Sequence, residues 1–345
     1  MTDVIAQVDA VLADVISSHR RQWTQLSPHI AVVFDELELL VLGGGKRLRP
    51  QFCHLGWRAA GGTPDVDVPI RLGAAIELLH VMALLHDDVI DDAATRRGRT
   101  TTHRRQSGVH SEKDLLGESR RFGEGVAVLI GDITYVLSDV LVEDLSQPAR
   151  SVWNDLRLEM NIGQYLDTVG SAYRERSETF AELVCRFKSA KYTIERPLHV
   201  GAIAANVSRG LALAPMLSAY GLPLGDAFQI RDDVLGVFGD EKTVGKPVGG
   251  DFREGKPTPM LAYAYEHADV EQRKTLDIVG RENLSEQDIS ALQQVVINTG
   301  AKDAMEQRIS ILVDQAIAAL QPSELADDTF TDLCALAHAV TQRNA

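Results

Sequence analysis

With 345 residues, 45% of them hydrophobic and 24% charged, the chain can bury a sizeable core in one or two domains. A net charge of −14 would repel nucleic-acid phosphates and argues against a nucleic-acid partner. The three cysteines, Cys53, Cys185 and Cys334, follow neither metal-binding nor disulfide spacing and fit a reducing cytoplasm.

The opening residues, MTDVIAQVDAVLADV, are acidic and lack the basic start and continuous apolar run of a signal peptide. No stretch is expected to reach the ~20 apolar residues of a membrane span, so a soluble, cytoplasmic protein is expected. Apolar residues recur at three- and four-residue steps in IRLGAAIELLHVMALLH, VWNDLRLEMNIGQYLDTVG and AMEQRISILVDQAIAAL, which predicts helices. β-Alternating segments joined by hairpin turns are not evident. Prolines such as Pro50, Pro197, Pro223, Pro257 and Pro259 read as helix edges. Without a linker, repeat or low-complexity tract, residues 1–345 are expected to form a single all-α domain.

The first unusual motif is GGGKRLRP, residues 43–50, a glycine turn followed by Lys46, Arg47 and Arg49 in an otherwise acidic chain. It lacks the spacing of a Walker A loop. It reads either as an exposed basic turn or as a phosphate site, with arginine giving bidentate contacts and lysine a point charge.

Next comes LLHDDVIDDAATRRG, residues 84–98. Asp87/Asp91 and Asp88/Asp92 stand four apart, a spacing at which like charges on a helix repel by about 0.2–0.5 kcal/mol per pair. His80, Ala83, Asp87 and Asp91 share one helix stripe. Two carboxylates one turn apart suit a hard cation such as Mg2+, which prefers oxygen ligands, water and phosphates. Alone, the run reads equally as a solvated charge cluster. Residues 98–125, rich in glycine, serine and charge, are expected to form a surface loop or flap.

A second acidic cluster, Asp232 and Asp233 in QIRDDVLGVFGDEKTVGKPVGGD (residues 229–251), is followed by Lys242, Lys246 and then Lys256. Two acidic helix ends, each followed by cations, suggest a cavity where metal ions reconcile carboxylates with a diphosphate. That arrangement suits chemistry in which the metal takes up leaving-group charge.

GGGKRLRP, ELLHVMALLHDDVID with RRG, GQYLD, KSAKYTIERP, FQIRDDVLG and GKPVGGDFREGKPT occur in this order between about residues 40 and 260. Together they resemble the trans-isoprenyl diphosphate synthases of the polyprenyl synthetase family. The resemblance implies an all-α helical bundle around a deep central cavity, acting as a homodimer. It also implies condensation of isopentenyl diphosphate with an allylic diphosphate, dependent on Mg2+, with three ions when diphosphate is bound.

Carried over by residue, the resemblance assigns Asp87, Asp91 and Asp232 to Mg2+, with Asp88 and Asp233 beside them. Asp87, Asp91, Lys188 and Asp232 become the catalytic set. Lys46, Arg49, His80 and Arg97 match isopentenyl diphosphate positions. Arg96, Lys188, Ser189, Gln229, Lys246 and Lys256 match positions around the allylic diphosphate. Gln164 and Asp167 read either as inner-wall polar groups or as a satisfied buried pair, and His86 as a structural hydrogen-bond partner. The pattern departs at Gly236, where an aspartate is usual and where water or Asp240 would complete the third metal, and at Ser189, where a threonine is usual.

Met82 and Ala83 lie one turn before Asp87, about 5.4 Å along the helix and close to one isoprene unit. The resemblance puts a bulky aromatic there in enzymes that stop at fifteen carbons. Ala83 leaves room, Met82 is a flexible partial floor, and Leu78 and Leu79 lie a turn further back. Geranylgeranyl diphosphate is the expected product, with longer polyprenyl or farnesyl products as alternatives. Other classes of reading are a terpene cyclase, which has no need of GGGKRLRP or Arg96-Arg97, and a non-catalytic partner subunit, which would be expected to lose its aspartates.

Overall fold

The computed structural model describes residues 2–63, 67–239, 249–281 and 283–342, and these are helical apart from one small ribbon and connecting turns. In the ribbon, Thr95–Arg96 pairs antiparallel with Arg99–Thr100. Its two-residue turn, Arg97-Gly98, has φ of 52° and 71°. Positive φ at both central residues matches the twist of a tight hairpin, and glycine at the second removes half the strain.

Backbone contacts divide the chain into two compact units, residues 1–153 with 197–213, and residues 154–196 with 214–345. In unit 1, the helices Thr2–Trp23, Ala31–Val41, Val68–Ile90 and Ser119–Val140 share an apolar core. Val8, Leu12, Ile16, Leu37, Ala74 and Leu78 are all fully buried there. Each such leucine or isoleucine contributes roughly 1.5–3 kcal/mol by leaving water.

The Val68–Ile90 helix requires a correction to the expected absence of span-like stretches. By length and composition it is apolar enough to cross a membrane, yet 72% of its most apolar window is buried within the protein. A helix apolar all round is a core helix when its neighbours cover it.

Residues 98–125 are also not the expected loop. They contain the ribbon's second strand, the helix Thr102–Glu112 and the start of Ser119–Val140, capped by Glu118, whose carboxylate accepts from the Arg120 and Arg121 amides. The buried face of Thr102–Glu112 is polar: Thr102, His103, Gln106 and His110. Glu36, itself buried, accepts from Thr102 Oγ1 at 3.0 Å, Gln106 Nε2 at 2.9 Å and Arg105 Nε at 2.9 Å. Gly123 lets the two helices touch, since a Cβ there would lie 2.1 Å from the His103 carbonyl oxygen.

In unit 2 a π-helix, Arg186–Glu195, follows Glu178–Cys185 without a break. Helices with i→i+5 bonding are rare, mostly single-turn bulges, and frequent at functional sites. Glu159 anchors this one, accepting from Lys191 Nζ at 2.6 Å, Arg196 Nε at 2.6 Å and Arg196 Nη2 at 2.7 Å. Pro223 was expected at a helix edge, but it lies, with Pro215, inside the helix Val207–Phe238. Its neighbours Leu217, Tyr220 and Leu224 are fully buried, so packing outweighs the lost backbone donors. Near its end Arg231 grips the last two helices, donating to Glu306 at 2.6 and 2.7 Å and to the Thr341 carbonyl at 2.9 Å.

The helices Leu48–Ala59 and Arg196–Ala205 cross through two glycines: a Cβ on Gly56 would lie 2.1 Å from the Leu198 carbonyl oxygen, and one on Gly201 2.0 Å from that of Cys53. Gly56→Ala is expected to destabilise the protein by about 1–3 kcal/mol through overpacking. The check is urea denaturation, with the midpoint lowered and the slope unchanged.

Candidate active-site residues

The first acidic cluster terminates the Val68–Ile90 helix. Asp87 and Asp88 lie in its last turn, Asp91 is the C-cap residue, and Asp92 takes a left-handed conformation, φ 50°. A helix carboxyl end already carries about half a negative charge, so carboxylates there repel the dipole as well as each other. The hairpin supplies the compensation. Arg96 Nε donates to Asp88 Oδ1 at 2.5 Å, and its Nη2 donates to Asp87 Oδ2 at 3.0 Å. Arg104 Nη2 does the same for Asp92 Oδ2 at 2.7 Å. Arg96 therefore sits on the carboxylates assigned to metal, although the family resemblance places it around the allylic diphosphate.

Of the three cations in GGGKRLRP, Arg47 is internal. It is 4% exposed and donates to Asp9 at 2.8 Å, to Glu77 at 2.9 Å and to the Val41 carbonyl at 2.5 Å. It precedes the helix Leu48–Ala59 with φ 47°, while Gly44 opens the turn with φ 96°. Burial disfavours its charge, but Glu77 and Asp9 outweigh that and raise its proton affinity. Its anchoring leaves exposed Lys46 and half-buried Arg49 as the loop's candidates for a ligand. Arg97 closes over the same turn, its Nη1 donating to the Gly44 carbonyl at 2.9 Å.

His80 lies in this basic neighbourhood. Removal from water, and then the charges of Arg49, Arg97, Arg96 and Arg47, hold its imidazole well below the usual histidine range. A neutral imidazole ringed by guanidinium groups is an environment built for an anion. His86, by contrast, packs on the Ser119–Val140 helix. Its Nε2 is 3.2 Å from the Val128 carbonyl and 3.6 Å from Asp132, and a Cβ at Gly131 would strike it at 2.3 Å. That matches the structural part expected for it.

In unit 2, Asp232 and Asp233 lie near the carboxyl end of Val207–Phe238. Asp233 is 6% exposed and accepts from Gln229 Nε2 at 2.7 Å. Burial, then the charges of Asp251 and Asp232, push its carboxyl well above the usual carboxylate range, against the pull of Gln229 and Lys256. Lys188 and buried Ser189 lie on the π-helix. Lys188 is ion-paired with Asp167, so the partner of that buried aspartate is Lys188 rather than Gln164. Gly163 permits the approach, because a Cβ there would lie 2.1 Å from the Lys188 amide nitrogen. Gln164 is half-buried, and its Nε2 makes no hydrogen bond. Lys256 pairs with Glu254. Lys242, Lys246 and Asp240 lie outside the described residues.

Sequence reasoning missed Asp251, which faces Gly236 in this unit: a Cβ on Gly236 would lie 2.3 Å from Asp251 Oδ2. The only signal was its place at the end of GKPVGGD, after the lysines that drew attention. Among the described residues, no three His, Cys, Asp or Glu side chains converge into a closed metal cage. Oxygen donors from one or two carboxylates at a time fit Mg2+, which keeps waters and substrate phosphates as further ligands.

The polyprenyl synthetase profile matches residues 31–296. The chain is 32% identical over 286 residues to the geranylfarnesyl diphosphate synthase of Aeropyrum pernix, covering 80% of this chain and 83% of that one. It is 30% identical over 322 residues to the octaprenyl diphosphate synthase of Escherichia coli, covering 93% of each. Its fold matches a geranylgeranyl pyrophosphate synthase of Corynebacterium glutamicum, solved with isoprenyl diphosphate and magnesium, with a TM-score of 0.91, 35% identity and 98% of each chain covered. The chain belongs to the polyprenyl synthetase family. Within it, the protein is a prenyltransferase of the trans-isoprenyl diphosphate synthase class.

His80 makes acid stability a test of the basic pocket. Its folded-state proton affinity is depressed, so below its unfolded value near pH 6.5 the unfolded chain takes up a proton that the native state refuses. Its contribution is therefore absent above that pH and becomes destabilising as the pH falls. His80→Gln should lessen the loss of stability between pH 6.5 and 5, by at most one proton's worth of slope, and change nothing above pH 7.5. Urea midpoints across that range provide the check.

Proposed function

We propose that the protein is a Mg2+-dependent geranylgeranyl diphosphate synthase whose two units act as one catalytic domain. The family profile spans residues of both units, which supports the single domain. The observation that carries the product length is Ala83. It is small, half-buried and on the Asp87 stripe, while Met82 beside it is 4% exposed and Leu78 and Leu79 a turn earlier are fully buried. This combination supports room for a fifteen-carbon primer and closure after one further addition. Longer products are the second reading, supported by the likeness to an octaprenyl synthase.

In this reading Lys46, Arg49, His80 and Arg97 hold the diphosphate of isopentenyl diphosphate. Neutral His80 donates a hydrogen bond, and the guanidinium groups supply charge. Arg96, Lys188, Ser189, Gln229, Lys246 and Lys256 hold the allylic diphosphate. Asp87 and Asp91 in unit 1, with Asp88 beside them, would hold Mg2+, and Asp232 in unit 2, with Asp233 beside it, would hold a further ion; the metal would supply the remaining positive charge that a departing diphosphate requires. With the leaving group held, the allylic C–O bond ionises, the isopentenyl double bond attacks the cation, and the released diphosphate takes the proton. Bulk water must be kept from the cation.

A homodimer accompanies this reading. Leu129, Ile133, Val136 and Val140, spaced by four, three and four, are 38–62% exposed and form one apolar stripe on the Ser119–Val140 helix. A stripe of that length supports a partner helix. The free cysteines support a reducing, cytoplasmic setting.

Ala83→Phe tests the product length. The variant should fold, remain active and shift the main product from twenty to fifteen carbons by chromatography of the dephosphorylated alcohols. An active variant with wild-type product lengths would contradict the assignment of this helix face to the growing chain.

A further inference from the structure

Glu36 is a buried carboxylate in unit 1 that no step of the reaction uses, yet a whole helix turn converges on it. Its side chain is 5% exposed. It accepts from Thr102 Oγ1 at 3.0 Å, from Gln106 Nε2 at 2.9 Å, and from both Nε, at 2.9 Å, and Nη2 of Arg105. Thr102, Arg105 and Gln106 stand three and four residues apart, so they form one patch on the first turn of Thr102–Glu112. An apolar seam would hold that helix against Ala31–Val41 without fixing its rotation or its height. Directed bonds from one turn to one carboxylate fix both, because a fully satisfied buried polar network is rigid.

Each of these two helices adjoins a segment that carries ligand candidates. Ala31–Val41 runs through its C-cap residue, Leu42, into the glycine turn that precedes Lys46 and Arg49. Thr102–Glu112 starts directly after the ribbon that carries Arg96 and Arg97. Buried Thr101 closes the base of that ribbon, its Oγ1 donating to the Ala93 carbonyl at 2.7 Å and its amide to the Ala94 carbonyl at 3.1 Å. Arg105 adds a bond from Nη1 to the Thr100 carbonyl. At its tip the ribbon meets the glycine turn. Arg97 Nη1 donates to the Gly44 carbonyl at 2.9 Å, and a Cβ on Gly43 would lie 3.6 Å from Arg99 Nη1. Glu36 and this tip contact are thus the two joints of a closed circuit of helix, turn, ribbon and helix. Arg96 is held independently by Asp87 and Asp88, whereas Arg97, among the described residues, is held by one backbone carbonyl. The placement of Arg97 therefore depends most on the base of the ribbon.

We propose that Glu36 is a positioning residue for the isopentenyl diphosphate pocket: through Thr102, Arg105 and Gln106 it sets where Arg97 stands against the turn leading to Lys46 and Arg49. The proposal rests on the reading of Lys46, Arg49 and Arg97 as that pocket.

The test is steady-state kinetics of the full chain with Mg2+, each substrate varied in turn, with circular dichroism to confirm folding. Glu36→Gln keeps the shape and loses the charge that Arg105 meets. It should raise the KM for isopentenyl diphosphate roughly tenfold, within the hundredfold that a misplacement of about 1 Å can cost, and leave kcat and the allylic KM within about twofold of wild type. Arg105→Gln, at a half-buried position, should raise the same KM by a smaller factor, and it carries the test should Glu36→Gln not fold. The double variant should be no worse than Glu36→Gln alone, since the two residues act through one contact. Wild-type KM values with a lowered melting temperature, or equal rises in both KM values, would reduce Glu36 to a structural part and overturn the proposal. Fully additive effects in the double variant would overturn it too. Arg49→Ala and Arg97→Ala separate the two levels. A raised KM for isopentenyl diphosphate in both, beside a wild-type value in Glu36→Gln, overturns the positioning role alone, whereas unchanged values in both bring down the pocket reading and the proposal with it.

Discussion

Like charge gathered at helix carboxyl ends is the constraint on which much of this protein depends. Asp87, Asp88 and Asp91 stand where a helix terminates, and Asp232 and Asp233 stand near the end of another. Each carboxylate is opposed by its neighbours and by the helix dipole. Nothing in a stable core asks for this arrangement. It is sustained in unit 1 by Arg96, delivered by a four-residue ribbon, and in unit 2 by Gln229 and the charge of Lys256, while burial raises the proton affinity of Asp233. A bound cation would relieve the repulsion within each cluster. The apolar helices around them provide the stability that such sites spend.

Several glycines are positioned to bring polar groups into place rather than to provide flexibility. Gly163 lets the Gln147–Tyr173 helix touch the backbone at Lys188, which carries the Lys188–Asp167 pair. Gly131 admits the ring of His86, one residue from Asp87. Gly236 makes room for a carboxylate from elsewhere in the chain. In each case a methyl group would meet backbone or a functional side chain at 2.1–2.3 Å, well inside contact distance. The π-helix serves the same end, with Lys188 and Ser189 set on a widened turn and its base fixed by Glu159.

Where burial is apolar, the fold was legible in the sequence. The periodic segments around residues 70–86, 152–170 and 304–320 are helices because their apolar stripes meet cores. Legibility failed where a buried face is polar. Thr102–Glu112 was unreadable as a helix because its inward residues are Thr102, His103, Gln106 and His110, and two of them, Thr102 and Gln106, are satisfied by Glu36, distant in sequence. Arg47 and Arg49 look alike in KRLR. What separates them is Asp9 and Glu77, which only the fold brings to Arg47. Gly236 was visible as a gap in a motif, but the approach of Asp251 to it is a fact of space. The aspartate stripe itself was readable because four-residue spacing and helix geometry leave little freedom.

The most direct measurement is the product made by the purified wild-type protein from isopentenyl diphosphate and each allylic primer in turn, with Mg2+ and then with excess EDTA. Elongation with Mg2+ should stop at twenty carbons from five-, ten- and fifteen-carbon primers alike, and none should occur with EDTA. Elongation that persists in EDTA, or a main product well beyond twenty carbons, would contradict the proposed function.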